Sequence, residues 1–252
     1  MPKKEDLIVL ELDREINESL APLCQTIAQE AGLPQEALLS PKAKAQTIEN
    51  EMKAEINGYR KKCTEGFVLC VDEMQEIARK DPTLDLKVVK QNLEQAFDKL
   101  DSLDTIKNYV KEVLSGKTWR ELLSISEPSL QALYKGAKHM FDEKRYREAE
   151  SAFCFLATLD SSQYAFWLGL GHSCFHNKNF KEATNAYAMA SMADSAAIWP
   201  HVYAANCFEA TSDFHHALIA LESAKKTSVH SQERNREFEE ALNQRIVMLQ
   251  RI

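Results

Sequence analysis

The segment His172-Ser-Cys-Phe-His176 is the first to invite a chemical reading, because histidines at i and i+4 share one helix face, the spacing a metal ion can use. Cys174, the third soft ligand in it, lies roughly 200° around such a helix from His172 and points to its packed side. Two ligands without a third or fourth make a weak zinc site, so no metal is assigned. His215-His216 is weaker still, since adjacent helical residues diverge. The six cysteines (Cys24, Cys63, Cys70, Cys154, Cys174, Cys207) form no CxxC pair and fall among apolar residues of a helical pattern. They read as small buried hydrophobes in a reducing compartment. There is no P-loop, GxGxxG, HExxH or GxSxG, and the carboxylates lie on charged helix faces where solvation is their usual role. The chain reads as a non-enzyme, with no catalytic residue, no metal and no cofactor.

What remains is the chemistry of recognition, and its carrier is a repeat. Tyr146-Arg-Glu-Ala149, Phe180-Lys-Glu-Ala183 and Phe214-His-His-Ala217 align with a step of 34 residues each time. That period and the pattern W-x2-L-G-x2-Y, A-x3-F are those of the tetratricopeptide repeat (TPR), two helices per unit. The middle unit keeps Trp167, Leu170, Gly171, Ala183 and Tyr187, with Cys174 in the tyrosine position. The first keeps Leu133, Ala137, Met140, Ala149 and Phe153, and the third Ala205, Phe208, Ala217 and Leu221. Serines 161 and 195 stand where the consensus has proline. Small residues at 137, 171 and 205 let the first helix of each unit (A) approach the second (B), while Phe153 and Tyr187 fill the space between units.

The expected architecture is all-α: repeats over about 130–163, 164–197 and 198–231, then an amphipathic capping helix over about 232–252 carrying Phe238, Leu242, Ile246 and Leu249. Ahead of this TPR domain (101–252) stands an N-terminal helical extension (1–100). A helix from about Leu7 to Ala31 ends at Gly32 and Pro34. A second starts at Ser40-Pro41 and carries a seam from Ile48 to Ile77 spaced three or four apart, up to Asp81-Pro82. A third runs from about Leu84 to Leu114 and closes at Gly116. A seam this regular is a bundle core or hairpin, or else a coiled coil between chains.

Composition agrees with helices, at only 7 Gly and 7 Pro. Residues 1–118 hold 17 Lys+Arg against 22 Asp+Glu and the remainder 14 against 16, so neither half is basic. Nucleic acid and anionic membranes are therefore disfavoured as partners. No run of about 18 apolar residues and no signal-peptide core appears, which points to the cytosol without membrane insertion.

The stretch from Trp119 to Tyr134 (WRELLSISEPSLQALY), then Lys144–Glu150 (KRYREAE), Phe153–Asp160 (FCFLATLD), Phe166–Gly171 (FWLGLG) and Trp199–Cys207 (WPHVYAANC), follow one another in a particular order. From about residue 100 onward the chain thereby resembles the class II chaperones of bacterial type III secretion, the family of SycD, LcrH and IpgC. The departure is at the front, where such chaperones carry a short dimerising helix. The resemblance implies a cytoplasmic bacterial chaperone that keeps a secreted translocator soluble and export-competent, with homodimerisation open as a second association. It also implies a ligand: an extended, proline-containing segment near the translocator's N-terminus.

Helical geometry selects where such a segment would lie. Positions two, five, nine and twelve of each A helix share the concave face. They are Gln131, Tyr134, Lys138 and Phe141, then Ala165, Leu168, His172 and Phe175, then Trp199, Val202, Asn206 and Glu209. The expected peptide-binding residues are Tyr134, Lys138, Phe141, Leu168, His172, Phe175, Trp199, Val202 and Asn206, with Lys138, His172 and Asn206 placed to bond the ligand's backbone. Against this stand two other readings. The aromatics pack on the N-terminal helices instead, or the stack is a scaffold or regulator docking a folded partner, through those same helices.

Overall fold

The computed structural model describes residues 22, 41–80, 84–100, 102–228 and 236–251. Among these the backbone is helical with no strand: α1 (Pro41–Lys80), α2 (Leu86–Asp98), α3 (Leu103–Leu114), α4 (Trp119–Leu123), α5 (Glu127–Asp142), α6 (Tyr146–Leu159), α7 (Tyr164–His176), α8 (Phe180–Ala193), α9 (Trp199–Ala210), α10 (Phe214–Ser228) and α11 (Arg236–Leu249). No helix among the described residues is long and apolar enough to cross a membrane. The helix expected over Leu7–Ala31 lies outside them, apart from Pro22. The chain forms two compact units, Met1–Lys61 with Gln95–Gly116, and Lys62–Glu94 with Lys117–Ile252.

The single helix expected over 84–114 is two, α2 and α3. The apolar stripe continues across the break, but the backbone does not: Leu100 N–H turns back to the Phe97 carbonyl at 2.9 Å. The Ser102 hydroxyl then accepts from Thr105 N–H at 3.2 Å, capping α3. A serine that offers the backbone this alternative partner is a helix start, and periodicity alone does not register it. Gly116 ends α3 at φ 106°, a conformation that favours glycine.

The second unit contains the repeats, with α5, α7 and α9 as A helices and α6, α8 and α10 as B helices. Its core is built from small residues at 34-residue intervals, Ala149, Ala183 and Ala217, all fully buried. The period also appears in the backbone. Lys144, Lys178 and Ser212 close the three A-to-B turns at φ 61°, 62° and 60°. The next residue of each turn donates back to the A helix: Arg145 to Met140 O, Asn179 to Cys174 O and Asp213 to Phe208 O. Left-handed backbone costs a non-glycine residue roughly 1–2 kcal/mol, so packing on both sides holds each turn in place.

Between units, where the consensus proline is missing, aspartates do its work. Asp160 Oδ1 accepts from Ser162 N–H at 3.2 Å, and Asp194 Oδ1 from Ala196 N–H at 3.0 Å. Each is a side chain hydrogen-bonding two residues ahead, fixing the turn that proline would have set by its ring. Asp160 is buried and also receives Arg120 from α4 at 3.3 Å.

Rings set the spacing of the stack. A Cβ on Gly169 would meet the Phe153 ring at 2.4 Å, and one on Gly171 the Tyr187 ring at 2.4 Å. Phe153 therefore sits between units one and two in a socket only glycine leaves open. Tyr187 does the same within unit two and reaches Tyr203 of unit three, with centroids 5.5 Å apart. The stack ends on α11, whose Leu242 and Ile246 join Ile198, Ala205, Leu221 and Ala224 in one buried cluster with Phe238 and Leu249 beside it.

Residues 62–80 of α1 belong to this same unit and flank its first repeat. Phe67 meets Phe155 at 5.3 Å between centroids, and Lys62 reaches Glu150 at 2.5 Å. Burial alone would raise the Glu150 carboxyl, but hydrogen bonds from Lys62 and Asn177 outweigh it and hold it below the usual carboxylate value. Buried Glu73 accepts from Arg145 at 2.7 Å and lies 2.6 Å from His139 Nδ1, tying α1 to the first A-to-B turn. From α2, Asn92 brackets the start of α5, accepting from Ser126 N–H at 3.0 Å and donating to Ser124 O at 3.3 Å.

Gly66 is where α1 comes nearest. A Cβ there would lie 1.9 Å from the Ser151 carbonyl oxygen, so α1 and α6 touch backbone to backbone. Gly66→Ala must push the helices apart and should destabilise the protein by about 1–3 kcal/mol in urea unfolding. Gly58, in the same helix with nothing within 4 Å of its Cβ position, is the control. Gly58→Ala should be stabilising by about 0.5–1 kcal/mol. Equal effects of the two changes would refute the close crossing.

Candidate functional site

The A helices bring the expected face together as a run of rings. Tyr134 of α5 lies 5.6 Å from Phe166 of α7 and 6.1 Å from Phe153, centroid to centroid. Phe141 of α5 lies 6.4 Å from His172 and 5.7 Å from His176. His172 in turn lies 4.6 Å from Tyr203 of α9, which stacks on Trp199 at 5.9 Å. Trp199 meets Phe238 of α11 at 5.4 Å. Rings therefore follow one another from unit one to the end of the stack, most of them partly exposed, with Trp199 at 39%. Leu168 is partly exposed on the same side of α7, and Phe175 packs edge-on against Phe180 at 5.5 Å.

His172 sits at the centre of this surface. Its Nδ1 is 2.9 Å from the Tyr187 hydroxyl, and its ring is enclosed by Phe141, Tyr187 and Tyr203. Burial first, and then the neighbouring His176, hold its pKa below the usual histidine value. His176 stacks flat on Tyr146 at 4.3 Å. Both histidines of the i, i+4 pair are thus parts of an aromatic surface. Among the described residues no group of three or more His, Cys, Asp or Glu side chains is gathered to hold a metal.

The polar positions are already engaged. Lys138 is exposed and paired with Asp142 on its own helix at 2.6 Å. Asn206 accepts from Arg245 Nη2 at 2.6 Å, and Glu209 from Arg245 Nε at 2.8 Å. Val202 is partly buried against the cluster that Leu242 and Ile246 complete. In the third unit, then, Trp199, Val202, Asn206 and Glu209 all turn toward α11, which stacks beside α9 as a further A-type helix. Sequence spacing put these residues on one face, but it could not say that the chain's own last helix answers them. Tyr203, Phe166 and Arg245 were missed because they stand outside positions two, five, nine and twelve. The aromatic content at 34-residue offsets from Gly169 (Tyr203) was the available clue.

Residues 62–80 of α1 do not approach from this side. Within the second unit, α1 meets α5 at Gly136, whose Cβ position is 3.3 Å from the Cys70 carbonyl, and at His139. These lie roughly 140–200° around α5 from Tyr134 and Phe141. Residues 62–80 thus flank the repeats from behind the ring-bearing face.

Two half-buried histidines give this unit a pH dependence with a definite sign. Burial also holds His201 of α9 below its usual value. A histidine depressed in the folded state binds its proton more readily when unfolded. Stability is therefore full above the ordinary value of 6.5 and falls as pH drops below it, until the folded values are passed. His172→Gln, which keeps a partner for the Tyr187 hydroxyl, should flatten the decline of the urea midpoint between pH 6.5 and 5. An unchanged slope would show that His172 does not contribute.

No protein-family model and no curated protein matches the sequence. Solved structures do. The chain is similar to a protein of a type III secretion complex from Aeromonas hydrophila, with 22% identity and a TM-score of 0.52, covering 59% of this chain and 96% of that one. It is also similar to the type III secretion translocator chaperone SycD of Yersinia enterocolitica (26% identity, TM-score 0.46, 54% of this chain and 99% of that one). A third similar structure is SycD of Yersinia enterocolitica in complex with a peptide of the translocator YopD (22%, TM-score 0.45, 50% and 95%). The fold of the Aeromonas hydrophila protein is the fold of this chain over the shared 59%.

Proposed function

We propose that the protein is a cytoplasmic chaperone of a type III secretion system that binds an extended segment of a secreted translocator along the face of its A helices. The observation that carries this reading is the run of partly exposed rings Phe141, His172, Tyr203 and Trp199, with Tyr134 on the same side of α5, away from residues 62–80 of α1. Aromatic surfaces suit proline- and leucine-containing segments, because an extended chain has little conformational entropy left to lose on docking. Phe141, Phe175, Leu168 and Trp199 would supply apolar contact, with Tyr134 and Val202 at its margins.

Backbone groups of the guest need donors and acceptors in turn. Lys138 has three donors and spends one on an exposed pair, so it keeps capacity for a guest carbonyl. His172 can share Tyr187, whereas Asn206 would have to exchange Arg245 for the ligand. Holding one segment of a membrane-inserting client keeps its apolar regions from aggregating by mass action, with no ATP and no catalysis. Residues 1–100 would serve as an added helical extension whose residues 62–94 join the repeats in one unit, with homodimerisation as an associated property.

The test is co-expression with the translocator encoded nearest the gene. Wild-type protein should raise the soluble fraction of the client, and Phe141→Ala with Phe175→Ala should abolish that rise while far-ultraviolet circular dichroism stays helical. A synthetic peptide of the client's N-terminal segment should bind the double variant at least about tenfold more weakly. Client solubility and peptide affinity that survive both substitutions, or binding only to a folded partner, would overturn the proposal in favour of a scaffold.

A further inference from the structure

Three cysteines of the second unit gather where α1, α6 and α7 meet. Cys63 Sγ lies 3.5 Å from Cys154 Sγ and 3.2 Å from Thr158 Oγ1. Cys174 is close enough to Lys62 and Glu150 to interact with both. All three are thiols in the structure. Cys154 is buried at 1% exposure, whereas Cys63 is only partly covered.

The helices bearing the close pair are held together independently of the sulfurs. Gly66, one turn from Cys63, lies with its backbone against Ser151, nearly one turn from Cys154. Phe67–Phe155 and Lys62–Glu150 fix the same crossing from either side. A disulfide needs its sulfurs at about 2.05 Å, so they must approach by about 1.5 Å, a distance that side-chain rotation can supply without moving the helices.

We propose that Cys63 and Cys154 are a redox modification site, closing to an intramolecular disulfide when the protein meets a peroxide. The Cys63 thiolate attacks hydrogen peroxide, the O–O bond breaks, and the sulfur becomes a sulfenic acid as the other oxygen leaves and is protonated to water. The Cys154 sulfur then attacks Cys63, the S–S bond forms, and the sulfenic hydroxyl departs as a second water with the thiol's proton. Two thiols and one peroxide give one disulfide and two waters. Thioredoxin-type or small-molecule dithiols reverse it by exchange. The bond spans 91 residues of sequence and fixes α1 to the first repeat covalently. This inference is independent of the ligand held on the opposite face.

The experiment uses the full chain. After hydrogen peroxide treatment and denaturation, alkylatable cysteines should fall from six to four, and a digest should contain the peptides bearing Cys63 and Cys154 joined and two hydrogens lighter. The thermal midpoint should rise by about 5–10 °C and return on adding dithiothreitol. Cys63→Ser should leave every remaining cysteine alkylatable and its midpoint unmoved by peroxide. A different cysteine pair, a dimer linked between chains, or Cys63 halting at sulfinic acid would each overturn the proposal. The wild-type digest decides the matter even if a variant folds poorly.

Discussion

Two rings hold the repeats at their spacing. Phe153 and Tyr187 occupy the space over Gly169 and Gly171, and any larger side chain at those glycines would collide with them. Because close-packed interiors transmit displacement, the gap between α5, α7 and α9 follows from how deeply these rings sit. The surface rings inherit their separations from it. His172 touches Tyr203 across two A helices only because Tyr187 beneath them holds α7 and α9 at that distance. The stacking that stabilises the unit and the separations of its surface rings are thus one arrangement.

Much of this was legible in the sequence, and the reasons differ between fold and site. The 34-residue step from Tyr146 to Phe214 fixes the helix pairs, since each A–B unit must return the chain to the same position to stack on the last. The step is repeated at Ala149, Ala183 and Ala217, and in the left-handed turns at Lys144, Lys178 and Ser212, which carry no glycine to announce them. The absent proline left the inter-unit turns unexplained until Asp160 and Asp194 were seen to bond two residues ahead. The break before α3 escaped the pattern because an apolar stripe records a face, while a cap is a local contest for one hydrogen bond.

The site was legible as a face and illegible as a set of partners. Spacing alone put Phe141 and His172 on one face of the A helices, and their rings lie 6.4 Å apart. It could not tell that Asn206 and Glu209 are bound by Arg245, nor that Glu73, some seventy residues upstream, is buried against His139 and Arg145. Such pairings join parts of the chain whose approach depends on helices elsewhere. A buried carboxylate is tolerated only with its charge answered, so Glu73 ties α1 to one place on the first repeat in a way that an apolar contact would not.

Helical stacks have no inherent length, since every added pair offers the next the same edge. Here α11 lies beside α9 as a single helix, and Arg245 extends from it to the side-chain amide oxygen of Asn206 and the carboxylate of Glu209. The ring-bearing side of α9 is accordingly covered in part by the protein's own α11. A strand laid along the rings, as proposed, would be measured against that helix, so register, and with it the order in which side chains meet the rings, would be set from α11 outward.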